Sequence, residues 1–153
     1  MTRPTHTFLG AAVAFPVAAM THEPVLPLAI AGSVVAHIPD WDLRLHLPHR
    51  GPTHSLATAG LVAAVIGLAV DAVLPAWAVS AVLLVLAAYL SHLAADLVNP
   101  TPMALLWPYR RRARRRWLPA VREGTVSGRV VEVGVVLAVV VVAFRDIGEV
   151  GCL

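Results

Sequence analysis

Four positions separate His92 from Asp96 in Leu90-Ser91-His92-Leu93-Ala94-Ala95-Asp96. On a helix that spacing places both side chains on one face, about 5–6 Å apart at Cβ. An imidazole and a carboxylate so placed could ligate one cation or two neighbouring ones; they would equally serve as a hydrogen-bonded helix end. A second constellation is His49-Arg50-Gly51-Pro52-Thr53-His54-Ser55. Gly51-Pro52 makes a turn, two histidines flank it, and Thr53 or Ser55 can cap a following helix. A third is Pro39-Asp40-Trp41-Asp42, two carboxylates in an irregular segment, which taken alone is also a common acidic turn. No nucleophile motif competes: Gly-x-Ser-x-Gly and a phosphate-cradling glycine loop are missing. Ser55 and Ser91 adjoin histidines without a triad pattern, and the single cysteine, Cys152, leaves neither an internal disulfide nor a thiolate zinc cluster. Histidine and carboxylate ligands without cysteine suit a catalytic rather than a structural zinc site, with manganese or iron as substitutes.

The elements that must carry these residues are unusually apolar. Of 153 residues, 58% are hydrophobic and 14% charged, against about 45–50% and about 25% in soluble domains. That balance excludes a disordered chain and argues against an ordinary soluble enzyme domain. The length suits one domain. Five charge-poor stretches are candidate helices: Thr7 to Thr21, interrupted by Pro16; Pro24 to Ala36; Ser55 to Val70; Ala72 to Ser91; and Val133 to Phe144. A bilayer core of about 30 Å needs about 20 apolar helical residues, and only the fourth stretch meets that comfortably. The third and fourth are predicted to form a helical hairpin turning near Asp71–Pro75. The valine-rich run Val139–Val142 would also suit a buried strand. Arg3 and the apolar run Phe8–Met20 have the outline of a signal peptide, but an anchored first helix is expected.

The ionisable residues collect at the edges of these stretches. If consecutive helices run antiparallel, His6, His37, Asp40, Asp42, His49, Arg50, His54, His92, Asp96 and Glu132 all land at one end of the bundle. Charged groups beside hydrocarbon are expensive and usually functional. The expected fold is therefore all-α: a membrane-embedded bundle of about five short helices with a polar metal-site layer at one end. It forms a single domain over 1–153, with a motif-bearing core at 1–108, an Arg-rich polar connection at 109–129 and a C-terminal helix and tail at 130–153.

The formal charge is +3, and all twelve non-histidine basic residues are arginine. Six of them fall within Arg110–Arg116. Beside a membrane span such a block gains about 1 kcal/mol per arginine from anionic headgroups, and lipid is expected as its partner rather than nucleic acid. The positive-inside rule places it in the cytoplasm. The histidine layer, directly before it in the chain, would share that side. Trp41, Trp107 and Trp117 suit an interfacial belt.

At these motifs the sequence resembles the YdjM-type family of inner-membrane-associated metal-dependent hydrolases. The likeness is carried by Thr5-His6, by Pro39-Asp40-Trp41-Asp42 and by His49-Arg50-Gly51-Pro52-Thr53-His54-Ser55-Leu56. It continues through Tyr89-Leu90-Ser91-His92-Leu93-Ala94-Ala95-Asp96-Leu97 and Asn99-Pro100 to Leu105-Leu106-Trp107-Pro108. More remotely it is similar to the helical zinc phospholipase C and single-strand nuclease group, in which a bridging carboxylate follows a histidine by four residues. One departure is Thr101-Pro102-Met103-Ala104, where relatives usually carry a glycine. The resemblance implies a divalent metal held by His6, Asp40, His54, His92 and Asp96, with Asp96 bridging if two ions are present and Glu132 as a further candidate. Asp42 or His49 would act as general base or orient hydroxide. Arg50 would stabilise charge on a phosphoryl oxygen, or pair with Asp40 or Asp42. The implied activity is hydrolysis of a phosphoester or lipid-like substrate at the cytoplasmic face of a multi-pass inner-membrane protein. A non-catalytic scaffold, a metal-binding envelope protein and an ion transporter are the competing readings; transport would place ionisable groups midway along the spans.

Overall fold

A computed structural model describes residues 3–97 and 102–109. Among these the chain is helical, without a β-strand. The α-helices are α1 (Arg3–Ala12), α2 (Ala14–Thr21), α3 (Val25–Val35), α4 (Leu56–Asp71) and α5 (Ala78–Leu97). Short 3₁₀ helices occupy Ile38–Leu43, Pro52–His54 and Pro75–Trp77. The expected fifth stretch, Val133 to Phe144, lies outside the described residues, as do Arg110–Arg116, Trp117 and Glu132.

Prolines set most of the boundaries. Pro16 has no N–H to give the Ala12 carbonyl, and its ring would clash with that group; the first apolar stretch accordingly breaks at Val13 into α1 and α2. Pro24 precedes α3 in an extended conformation. Pro27 sits in the first turn of α3, where a missing N–H costs no intrahelical bond. Pro39 disfavours continued α-helix at the residue before it, and the chain leaves α3 at Ala36 and enters the Ile38–Leu43 3₁₀ turn. Ser55 caps α4 by accepting from the Thr58 N–H at 3.2 Å. The fourth stretch differs from expectation in where its α-helix starts: Pro75 opens a separate 3₁₀ turn, while α5 carries His92 and Asp96 in its last turns as expected.

The helices run down, up, down and up. α1 and α2 lead away from the end where His6 lies, α3 returns, and α4 and α5 form a packed hairpin. α1 and α3 cross closely: a Cβ on Gly10 would collide with the Gly32 carbonyl oxygen, and one on Gly32 with that of Gly10. One apolar cluster, Ala14, Val17, Leu28 and Leu84, fills the far half. A second, Ala59, Tyr89, Leu93 and Met103, lies beneath the polar end.

On α4 the small residues face inward and several large ones outward, and α3 follows this in part. α4 buries Ala59, Ala63 and Gly67 while exposing Leu61, Val65 and Leu68; α3 buries Leu28 and Gly32 and exposes Leu26, Ile30 and Val34. In water that arrangement would leave the larger apolar groups hydrated. In hydrocarbon, where helices associate through small residues rather than by hiding leucine, it is the expected one. One run among the described residues, Pro75–Leu97, is long and apolar enough to cross a membrane. Its 23 residues would span a core of about 30 Å.

Candidate metal centre

Four segments deliver polar side chains to one end of the bundle. α1 carries His6, the Ile38–Leu43 turn carries Asp40 and Asp42, and the Pro52–His54 turn carries His54. The last turns of α5 carry His92 and Asp96. The segment 102–109 braces this end from outside: the Ala104 N–H donates to the Arg50 carbonyl at 3.1 Å and the Leu56 N–H to the Leu105 carbonyl at 3.0 Å. Met103 and Ala104, within the expected departure from the family pattern, are buried and support the 50–56 loop.

Four ligand atoms define the centre. His54 Nε2 lies 3.7 Å from Asp40 Oδ1 and 3.4 Å from Asp96 Oδ2. His92 Nε2 lies 3.6 Å from Asp40 Oδ1 and 3.8 Å from Asp96 Oδ2. Bonds of about 2.0–2.1 Å to a tetrahedral cation imply ligand–ligand edges of about 3.4 Å, close to these separations. Both Nε2 atoms are buried without a hydrogen-bond partner. An orphaned buried polar atom is costly, and two of them facing two carboxylates offer four ligand atoms that could hold a cation. The residues therefore fit a divalent metal.

The tautomers agree with that fit. His92 Nδ1 is 2.7 Å from the Ala36 carbonyl oxygen; a carbonyl can only accept, so Nδ1 carries the proton and Nε2 a lone pair. His54 Nδ1 lies 3.1 Å from Thr53 Oγ1 and 3.4 Å from Asp42 Oδ2. Thr53 Oγ1 gives its own proton to Asp42 Oδ2 at 3.2 Å, so it accepts from Nδ1, again leaving the Nε2 lone pair inward. Metal-binding histidines are usually fixed in this way through their second nitrogen.

Asp42 is a hub. It is wholly buried and accepts from the Arg50 N–H at 3.1 Å, from Thr53 and from His49 Nδ1 at 3.2 Å. The Arg50 backbone is left-handed, with φ 59°, a conformation a non-glycine residue adopts at some cost; the bonds to Asp42 and Ala104 hold it there. The Arg50 guanidinium donates to Asp96 Oδ1 at 3.3 Å. Near the same oxygen stands His6 Nε2, at 3.7 Å, and the His6 ring stacks on His92 with centroids 3.9 Å apart. Beneath, the Tyr89 hydroxyl donates to the Thr53 carbonyl and ties the loop to α5.

The electrostatics of the loop residues match a cation site. Burial alone would lower the His54 pKa, but the Asp40 and Asp96 carboxylates beside it and the charge of Asp42 raise it on balance. Burial alone would raise the Asp40 pKa, but the His54, His92 and His6 rings hold it below the ordinary carboxylate value. The field that draws a proton onto His54 would draw a metal cation to the same place.

All five residues expected as ligands thus come together: ligand atoms of His6, Asp40 and His92 lie within 4.8 Å of one another, as do those of His54, His92 and Asp96. His49 joins Asp40 and His54 at the same distance from the open edge, with 42% of its side chain exposed. The ion pair given to Arg50 is with Asp96; Asp42 receives its backbone N–H instead. Glu132 lies outside the described residues. Sequence reading did not single out Ala36 as the anchor of His92, because a backbone carbonyl has no sequence signature. Thr53 was legible only as a cap, although its hydroxyl links Asp42 to His54.

The described residues thus form an apolar helical bundle with a buried His–Asp cluster at one end whose ligand atoms could hold a metal ion. The family model described as YdjM inner membrane protein matches residues 1–150, and the chain belongs to that family. No curated protein and no solved structure matches it.

Proposed function

We propose that the protein is a membrane-bound metal-dependent hydrolase acting on a phosphoester or lipid-like substrate at the cytoplasmic surface of the inner membrane. The observation that carries this reading is the pair of buried, unpartnered Nε2 atoms on His54 and His92 facing the carboxylates of Asp40 and Asp96. Two imidazoles and two carboxylates without a thiolate suit zinc, with manganese or iron as substitutes. His6 stands beside them as a further ligand. When bound, such an ion supplies Lewis acidity and brings the pKa of a water from about 15.7 towards about 7.

The chain's own residues divide the remaining work. His49 is the proton acceptor: it is accessible at the open edge, and its Nδ1 is held by Asp42. Asp42, fully buried, does not reach a substrate and instead orients His49 and His54. Arg50 brings positive charge next to the carboxylates, where a phosphoryl oxygen would gain negative charge. The arginines of Arg110–Arg116 contact anionic headgroups and orient a multi-pass chain with this end in the cytoplasm.

The test uses purified protein in detergent. Elemental analysis is expected to find a stoichiometric divalent ion that His92→Ala loses. A synthetic phosphodiester and phospholipid vesicles are then offered as substrates, and turnover is expected to disappear in the same variant. Protein without the ion would sink the proposal. Metal without turnover of either ester would leave a metal-binding membrane protein in its place.

A further inference from the structure

The segment between the two acidic turn residues and His49 has an unusual surface. Trp41, Leu43, Leu45 and Leu47 are all exposed, and they alternate with Asp42, Arg44 and His46. Loops exposed to water are ordinarily polar; this one presents four large apolar side chains in seven residues. It is not loosely held, because Asp42 near its start is fully buried and bonded to Arg50, Thr53 and His49. The Leu47 N–H also donates to the Asp42 carbonyl at 2.9 Å. The apolar side chains are therefore displayed on a fixed base. Exposed Leu106 and Trp107 add to the apolar surface of the site-bearing segments.

The exposed charge of this segment is the arginine. Arg44 and His46 are exposed, whereas its carboxylate at Asp42 is turned inward. Tryptophan and leucine interleaved with an arginine match the boundary between acyl chains and anionic phosphate headgroups, where amphipathic elements lie about 5–10 Å deep.

We propose that the Trp41–Leu47 loop is an interfacial insertion that docks into the bilayer beside the centre, so that the open edge at Asp40 and His49 faces lipid headgroups rather than bulk water. The occupant is the lipid interface itself, and the insertion does not depend on whether the His–Asp centre turns over a substrate.

The full-length chain carrying Leu45→Cys and Cys152→Ser is labelled with an environment-sensitive nitrobenzoxadiazole dye. It is reconstituted into vesicles of phosphatidylethanolamine and phosphatidylglycerol doped with brominated lipid. Val65→Cys, on the exposed face of α4, provides the reference for a deeper position. The expected result is loss of Leu45→Cys emission that is larger with bromine near the carbonyl end of the acyl chain than near its methyl end. Iodide added to the water should quench weakly. Full quenching by iodide with no effect of bromine would place the loop in water and overturn the proposal. Protection from both quenchers would mean that protein covers it, a second copy for example, and would overturn it equally. Stronger quenching by the deeper bromine would do the same. Leu43→Cys, also at an exposed position, repeats the measurement should Leu45→Cys fail to fold.

Discussion

The imidazole of His92 is locked to the end of α3 by a buried hydrogen bond from its Nδ1 to the Ala36 carbonyl, 2.7 Å long. One contact thereby closes the bundle and aims Nε2 at Asp40 and Asp96. His92→Ala is expected to lose both the metal and this tie. Leaving the buried carbonyl unpaired costs about 1–3 kcal/mol, so thermal unfolding of the metal-free protein should move down together with metal content. Loss of metal with unchanged metal-free stability would show that the tie contributes little.

Asp42 touches His49, His54, Thr53 and the Arg50 backbone without facing the open edge, so its effect on a metal bound at the proposed centre would be indirect. Asp42→Asn keeps the shape and removes the charge. Outer-shell changes of this kind typically weaken metal affinity about 10–100-fold. Competition with a chelator of known affinity measures this, and unaltered affinity would rule out the orienting role.

Gly10 and Gly32 face each other across the α1–α3 crossing with no room for a methyl group. Gly32→Ala should force the helices apart and destabilise the protein by about 1–3 kcal/mol. Gly60→Ala supplies the contrast, since nothing lies within 4 Å of its would-be Cβ. In a helix interior that change should stabilise by about 0.5–1 kcal/mol. Thermal unfolding in one detergent compares the two, and equal effects would disprove the close crossing.

His54 and Asp40 shape the acid–base profile of the metal-free protein. The folded pKa of His54 lies above 6.5, so its contribution to stability is complete below pH 6.5 and is lost as pH rises through the raised value. That of Asp40 lies below 3.8, so its contribution is complete above pH 3.8 and is lost as pH falls through the lowered value. Chelator-treated protein should therefore draw most from this pair between those limits. His54→Gln should remove the decline on the alkaline side. Melting temperatures measured against pH for the two proteins check this, and parallel curves would contradict it.

Much of the fold was legible along the chain because its signals are local. Pro16, Pro24, Pro39 and the Ser55 cap act on their own neighbours, so the helix boundaries follow from backbone sterics. The start of α5 lies beyond the expected one because Pro75 supports a 3₁₀ turn as readily as the first turn of an α-helix. His92 and Asp96 could be placed on one face from helical period alone. Sequence by itself thus determined an apolar helical chain with its ionisable groups at helix ends.

What only the tertiary structure decided is which atoms meet and which way they point. Asp40 and Asp42 are indistinguishable as two carboxylates two positions apart, yet one lines the centre and the other lies behind it. The 3₁₀ turn gives them different directions, and distant partners, the His92 ring and the Arg50 backbone, receive them. The tautomers of His54 and His92 were likewise out of reach of pattern reading, because they depend on Thr53, Asp42 and the Ala36 carbonyl. Those contacts form only when separate helices pack, and a hydrogen bond closed across 56 positions leaves no trace in local spacing.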